Sequence, residues 1–392
     1  MNIVTLSNLY PSSARRNHGV FVEERMTRYA EKYSCHLRVV APVPWFPFRS
    51  GFGEYSQFAA TPKREVRRGI DIYHPRVITI PKVGASCAPF AWTQACSPLI
   101  QKLRGQRAID VLDAHYLYPD GVAAVRIARK LQIPVVLSAR GSDVNVIAQI
   151  PKLRKKIVEA CAAAPAVVAV SAALSKSLQQ IGVPADKIYI IRNGVDVDMF
   201  RPAAARAAKN ITEGRVLFGV GRLVQSKGWH LAIEALAKLL PAFPDLQLVI
   251  AGGGPDLGEF VELSKRLRVH ERVRFLGDVA HANIPELLWS AHRFVFPSFR
   301  EGHPNAVVEA VAAGVPVVAT PVGGIPEIVD SRFGELSTGV DAASFTKALE
   351  RSLNKNYSSG DFEAQRELLR WDSSLAALDE VFQKAVAAGP PK

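Results

Sequence analysis

Cysteine is scarce in this chain: Cys35, Cys87, Cys96 and Cys161 are scattered, and no two stand in CxxC spacing. Neither a zinc site nor a disulfide framework follows, and a reducing compartment fits. Long hydrophobic runs are missing too. The longest, Ala160 to Ala173, is broken by Pro165 and is too short to cross a bilayer. The opening MNIVTLSNLYPSS has no basic start and no extended apolar stretch, so no secretory signal is expected. No internal repeat is visible. The loop after the first apolar run, SNLYPSSARRNHGVFV, lacks G-x-G-x-x-G, which argues against an ordinary dinucleotide fingerprint.

What is present belongs to a folded chain. Its 392 residues are 48% hydrophobic, enough for two domains with a core each. The charge is lopsided. Residues 1–200 hold 27 Lys and Arg against 14 Asp and Glu, while residues 201–392 hold 22 of each. All of the net +13 therefore lies in the first half. Nucleic acid, an anionic membrane face or an anionic acceptor could meet it. No nucleic-acid motif accompanies the charge, so that partner is not expected. The cations cluster at Lys63-Arg64, Arg67-Arg68, Lys102, Arg104, Arg107 and Lys152, Arg154, Lys155, Lys156. Any one cluster reads as a solvated face; together they fit an anionic leaflet, at roughly 1 kcal/mol per cation.

Along the chain, short apolar runs alternate with helical stretches, which predicts parallel sheets of α/β type with ligand groups at the strand ends. Ile3 to Leu6 is a first strand, and Phe21 to Lys32 a helix. His36 to Ala41 is a second strand. The Pro-broken aromatic stretch 42–48, PVPWFPF, reads as a loop that either covers a sheet edge or presents an apolar patch. Ile109 to Ala114 leads to His115, and Val135 to Ser138 leads to Arg140-Gly141-Ser142-Asp143. Val167 to Val170 runs into a helix with Ser171 as N-cap. A Pro-Ala-rich stretch after Asn193-Gly194 suits a linker, and the chain then restarts at Val216 to Val220, followed by GRLVQSKGW. Asp196-Val197-Asp198 superficially resembles a metal-binding DxD motif.

The richest stretch runs from Pro297 to Val329, PSFREGHPNAVVEAVAAGVPVVATPVGGIPEIV. Gly302 and Pro304 end the apolar run before them, Ala306 to Ala313 are helix formers, and Gly314 stops them. Val315 to Ala319 is a β-branched run suited to a strand covered on both faces. A helix N-terminus beside a parallel strand end is an anion site. Glu301 and Glu309 also lie there, eight positions apart. A carboxylate so placed can accept hydrogen bonds from a ribose diol; the plainer reading is that both acids favour the helix N-terminus or face water.

EGHPNAVVE, followed by AGVPVVAT and PVGGIPEIV, resembles the E-x7-E signature of the retaining glycosyltransferases of family 4. The resemblance covers nearly the whole chain and is strongest over 215–330. It implies an α/β chain of GT-B fold, two Rossmann-like doubly wound domains facing a cleft. The domains would be 1–195 for the acceptor and 196–370 for a nucleotide-sugar, with helix 371–392 packing back on the first. It implies that Glu309 holds the ribose, that Glu301 lies near the transferred sugar, and that backbone from Gly302 through His303, Asn305, Ala306 and Val307 meets sugar and phosphate. His303 stands where an aromatic or small residue is common. Gly221-Arg222 and Lys227 match the family's GR…KG, whose cations grip the donor diphosphate. Leu276 falls in the segment framing the base. His18-Gly19 matches a glycine-containing loop facing donor and acceptor.

His115 matches a histidine near the reacting sugar, although a lone histidine is more often a packing or surface residue. Many relatives read HGSD where this chain has Arg140-Gly141-Ser142-Asp143. Arg140 instead suits an anionic acceptor or a phosphate, and Asp143 either faces the acceptor or caps the turn. The resulting expectation is metal-independent, retaining transfer of a sugar from a UDP- or GDP-sugar, with no cofactor. The acceptor would be a saccharide or lipid-linked molecule of envelope or exopolysaccharide assembly. The protein would be cytoplasmic, or peripheral on the inner face of the plasma membrane. A nucleotide-sugar epimerase of the same fold and a non-catalytic membrane-associated scaffold are the alternatives.

Overall fold

The computed structural model describes residues 1–45, 58–78, 85–202 and 214–391. It divides into two units, Met1–Asn193 with Trp371–Lys392, and Gly194–Arg370.

The first unit is built on an eight-stranded sheet in the order Ile188–Ile190, Ala166–Ala169, Val135–Ala139, Val111–His115, Asn2–Leu6, His36–Val40, Ile70–Tyr73, Arg64–Arg67. All pairings are parallel except the last, a hairpin turned at Arg68-Gly69, where both residues have positive φ. The central strands are apolar without interruption because both faces are covered. Their period-two alternation sorts the side chains. Val4, Leu6, Leu112, Val135 and Leu137 pack with the helices Ala88–Gln106, Val122–Leu131 and Pro151–Ala163. Ile3, Val111 and Val136 point the other way, against Val20–Lys32 and the C-terminal helix Trp371–Ala388. That last helix buries Trp371, Leu375, Leu378, Val381 and Phe382, each contributing roughly 1.5–3 kcal/mol. Tyr29 fixes its position: the ring meets Phe382 edge-on at 5.2 Å, and Oη donates to Asp379 at 2.6 Å.

The second unit has six parallel strands in the order Val273–Phe275, Leu246–Ala251, Arg215–Val220, Arg293–Phe296, Val317–Ala319, Gly334–Leu336. The same alternation sends Leu217, Leu248, Ile250 and Val295 to one core and Phe218, Val249, Phe294 and Val317 to the other.

In each sheet the chain starts near the middle and turns to opposite sides. The reversal falls between Asn2–Leu6 and Val111–His115 in the first unit, and between Arg215–Val220 and Arg293–Phe296 in the second. Ligands of open parallel sheets bind at the carboxyl ends of strands flanking such a reversal.

One expectation is corrected. Part of the stretch 42–48 is a strand: Val43–Trp45 pairs in parallel with Arg76–Ile78, a two-stranded ribbon that tolerates Pro44 because it has no central position to fill. Residues 46–48 lie outside the described residues. Among the clustered cations, Arg64 pairs with Asp71, Arg67 with Glu23 and Arg68 with Glu24.

Candidate active site

Glycines shape the site of the second unit. The loop after Arg215–Val220 carries Gly221, exposed Arg222 and Lys227, and ends at Gly228. Gly228 has φ +69°, and a Cβ there would run into the Pro297 carbonyl. This close approach is secured by Phe299 N–H donating to the Ser226 carbonyl at 2.9 Å. The Arg222 end is secured by Trp229, which is fully buried and donates its indole N–H to the Arg222 carbonyl at 2.9 Å. A Cβ at Gly219 would come within 2.6 Å of that indole. On the other side, Gly323 at φ +56° leaves no room for a Cβ against the Glu301 carbonyl, and Gly324 N–H donates to the Gly302 carbonyl at 2.9 Å. Two loops from neighbouring strands are thereby pressed together.

The consequence is an ion pair. Lys227 Nζ lies 2.6 Å from Glu301 Oε1, with the ammonium 5.2 Å from the centre of the Phe296 ring. Gly221 flanks the Lys227 stem. Glu309 lies in the helix Asn305–Ala312 and accepts from His281 Nε2 at 2.8 Å. His303 and Val307 are buried, while Asn305 and Ala306 are half-buried at the helix start. Val307 donates its amide to the Pro304 carbonyl at 3.1 Å. Half-buried Leu276 follows the strand Val273–Phe275 and gives its amide to Ile250.

The first unit gathers a second group at its own reversal point. Gly19 has φ +74°, and a Cβ would collide with the Leu9 carbonyl. His18 bonds through Nε2 to the Asn8 carbonyl at 3.2 Å and through Nδ1 to Arg15 at 3.1 Å. Asn8, Arg15, His18, His74 and Tyr116 line a cavity of about 260 Å³.

His115 is 1% exposed and engaged at both ring nitrogens: Nε2 with Asp113 at 2.6 Å, Nδ1 with the Arg140 guanidinium. Burial pushes its pKa down to about 4, against the pull of Asp113. The ring is therefore neutral, with the proton on Nε2 facing the carboxylate. This differs from a histidine open to a reacting sugar. Asp143 is fully buried and accepts the amides of Leu117, Arg140, Gly141 and Val144. Its carboxylate organises the turn and has no surface for an acceptor.

Four members of these clusters went unread in the sequence. Asp113 lies two residues before His115 on one strand, so a D-x-H pattern on a period-two element was the available signal. His281 is remote from Glu309 in sequence, and Arg25, buried among apolar helix positions, gave none. Asp120 is fully buried, accepts the Asn8 amide at 2.7 Å, and burial raises its pKa to about 8. Among the described residues there is no cluster of three or more His, Cys, Asp or Glu disposed to hold a metal ion.

Comparison with known proteins bears on the family and the fold. Residues 52–199 match Glycosyltransferase Family 4, and residues 202–367 match Glycosyl transferases group 1. The chain is 28% identical over 365 residues to TuaC of Bacillus subtilis, which is named a glycosyltransferase of teichuronic acid biosynthesis; the match covers 90% of this chain and 89% of TuaC. In structure it resembles the sucrose-phosphate synthase of Thermosynechococcus elongatus, with TM-score 0.81 and 17% identity over 99% of this chain and all of that one. It also resembles Anabaena Alr3699/HepE, solved in complex with UDP, with TM-score 0.74 and 19% identity over 98% of this chain and all of that one. The two-unit architecture is the GT-B fold, and the chain belongs to the family 4 glycosyltransferases.

Proposed function

We propose that this glycosyltransferase moves a sugar from a UDP- or GDP-sugar to an acceptor hydroxyl with retention at the anomeric carbon, using no metal and no cofactor. The observation that carries the reading is the Lys227–Glu301 pair at the reversal point of the second sheet. Arg222 lies in the same loop, and Glu309 one turn into the adjoining helix. Lys227 and Arg222 meet the diphosphate, Glu309 exchanges His281 for the ribose diol, and Glu301 faces the sugar. Charge on the diphosphate grows as its bond to the sugar breaks, so cations fixed beside it favour the transition state over the ground state. The acceptor oxygen bonds to the anomeric carbon on the face the diphosphate leaves. The diphosphate takes the electrons of the breaking bond, and one of its oxygens takes the acceptor proton. His115, neutral and engaged at both nitrogens, stays out of that transfer. The relation to HepE, which binds UDP, supports a nucleotide donor.

The acceptor belongs to the first unit, with His18 and Arg140 facing it, and is a lipid-linked or envelope saccharide carrying negative charge. TuaC's name supports this class. The net positive charge of residues 1–200 supports an anionic membrane face as the place of action, on the cytoplasmic side. Exposed Lys152 and Lys155 beside exposed Ile150 would meet it. No helix among the described residues is long and apolar enough to cross a membrane. The test is incubation with UDP-, GDP- and ADP-sugars, with and without lipid extracts, following nucleotide release and the anomeric proton of the product by NMR. An α-linked product from an α-linked donor, insensitive to EDTA, is expected. Epimerised donor without acceptor, or failure to bind any nucleotide, would overturn the reading.

A further inference from the structure

Arg140 is the first residue past the strand Val135–Ala139, at the ligand-bearing edge of the first sheet, and is half-buried. Its guanidinium lies 5.1 Å from the centre of the Phe21 ring, donates through Nη1 to Asn193 Oδ1 at 3.3 Å, and donates through Nη2 to His115 Nδ1. Its Nε is buried without an acceptor. Behind it stands Arg25, 1% exposed, which donates to the same Asn193 oxygen at 2.8 Å and leaves Nε and Nη1 without acceptors. Two guanidiniums thus share one amide oxygen. Among the described residues neither has a carboxylate oxygen within 4.0 Å. Asp113 and Asp143 temper the charge from farther away, one turned to His115 and the other to backbone amides. Burial and the charge of Arg25 both weaken the hold of Arg140 on its proton. Burying cations without a counter-ion costs several kcal/mol, and an arriving anion reverses part of that cost.

We infer that Arg140 is the contact for an oxyanion, a phosphate or a carboxylate, with Arg25 reinforcing its charge from behind and the Asp113–His115 pair holding its orientation. The inference rests on the transferase reading and names the side chains that would recognise an acid group in it. A guanidinium fork matches either oxyanion through two parallel hydrogen bonds. The donor's diphosphate offers the same chemistry, so the experiment must separate the two sources.

Binding to the full chain is measured by titration calorimetry for myo-inositol 1-phosphate against myo-inositol, glucuronic acid against glucose, and UDP, using wild type, Arg140→Gln and Arg140→Lys. At least one acid-bearing probe is expected to bind wild type tenfold or more tighter than its neutral counterpart. Arg140→Gln should bring that ratio within about threefold, and Arg140→Lys should leave it between the two. A loss confined to UDP keeps the oxyanion site and assigns it to the donor. Wild type that binds UDP but neither acid better than its counterpart, with UDP affinity the same in all three proteins, overturns the inference. The lysine variant keeps the charge and serves as the folded comparison if the glutamine variant is unstable by circular dichroism. Nucleotide release from a donor tests the transferase reading separately, so an active enzyme with no anion preference sinks this inference alone.

Discussion

Replacing Lys227 by Met separates a chemical role from a structural one. The methionine keeps an apolar stem and removes the ammonium that lies over the Phe296 ring. The lost ion pair has side chains 27% and 11% exposed, so the pair itself is worth about 1 kcal/mol or less. Glu301, 11% exposed, then loses its ammonium partner, which adds about 1–3 kcal/mol. At about 2–4 °C per kcal/mol for a domain of this size, the melting temperature should fall by roughly 2–15 °C. The chemical loss is of another order: removing one fixed donor from a developing oxyanion costs about 10²–10³-fold in rate. Nucleotide release, assayed well below the melting point of the variant, should fall by that factor. Lys227→Met combined with Glu301→Gln is the decisive protein. Neutralising the stranded acid should restore most of the stability and none of the rate. If the double variant recovered both, or if the single variant kept its rate within about tenfold, the assignment of Lys227 to the diphosphate would be refuted.

Glu309→Gln should raise the KM for the donor by about ten- to a hundredfold with a much smaller effect on kcat, because a ribose contact is made equally in ground and transition states; initial-rate kinetics would show it. Gly228→Ala forces a side chain at φ +69° into the Pro297 carbonyl, so the urea midpoint should drop by the equivalent of about 1–3 kcal/mol, with activity falling as the two loops part. Asp120 has a carboxyl raised from 3.8 to about 8, so the folded state holds its proton more tightly than the unfolded one. Its stabilising contribution is complete below about pH 4 and declines by about 1.4 kcal/mol per unit as pH rises toward 8. Asp120→Asn should remove that slope, and the difference between the two proteins' melting temperatures across pH 5 to 8 would report it.

The fold was legible because its cores repeat one rule. Runs such as Val216 to Val220 are apolar on both faces, and the Gly and Pro residues between them mark where strands give way to helices. The second-unit site was legible for a related reason. Glu301 and Glu309 lie on one strand–turn–helix, and Lys227 belongs to a loop whose glycines are dictated by backbone contact. What escaped was non-local or counter to propensity. Val43–Trp45 forms a strand despite Pro44, since Arg76–Ile78 supplies the pairing from farther along the chain. His281 meets Glu309 only through the fold. The state of His115 could not be read from its position, because it depends on Arg140, a strand away.

The first unit is discontinuous: the chain leaves it at Asn193 and re-enters at Trp371. During synthesis, the apolar surface shared by the sheet residue Ile3 and the helix residues Val22, Met26 and Tyr29 lacks its C-terminal cover while all of Gly194–Arg370 emerges. The second unit, continuous in sequence, can close first, and the first unit acquires its last layer only afterwards. A nascent chain halted before Trp371 would therefore display a greasy surface, the natural target of holding chaperones.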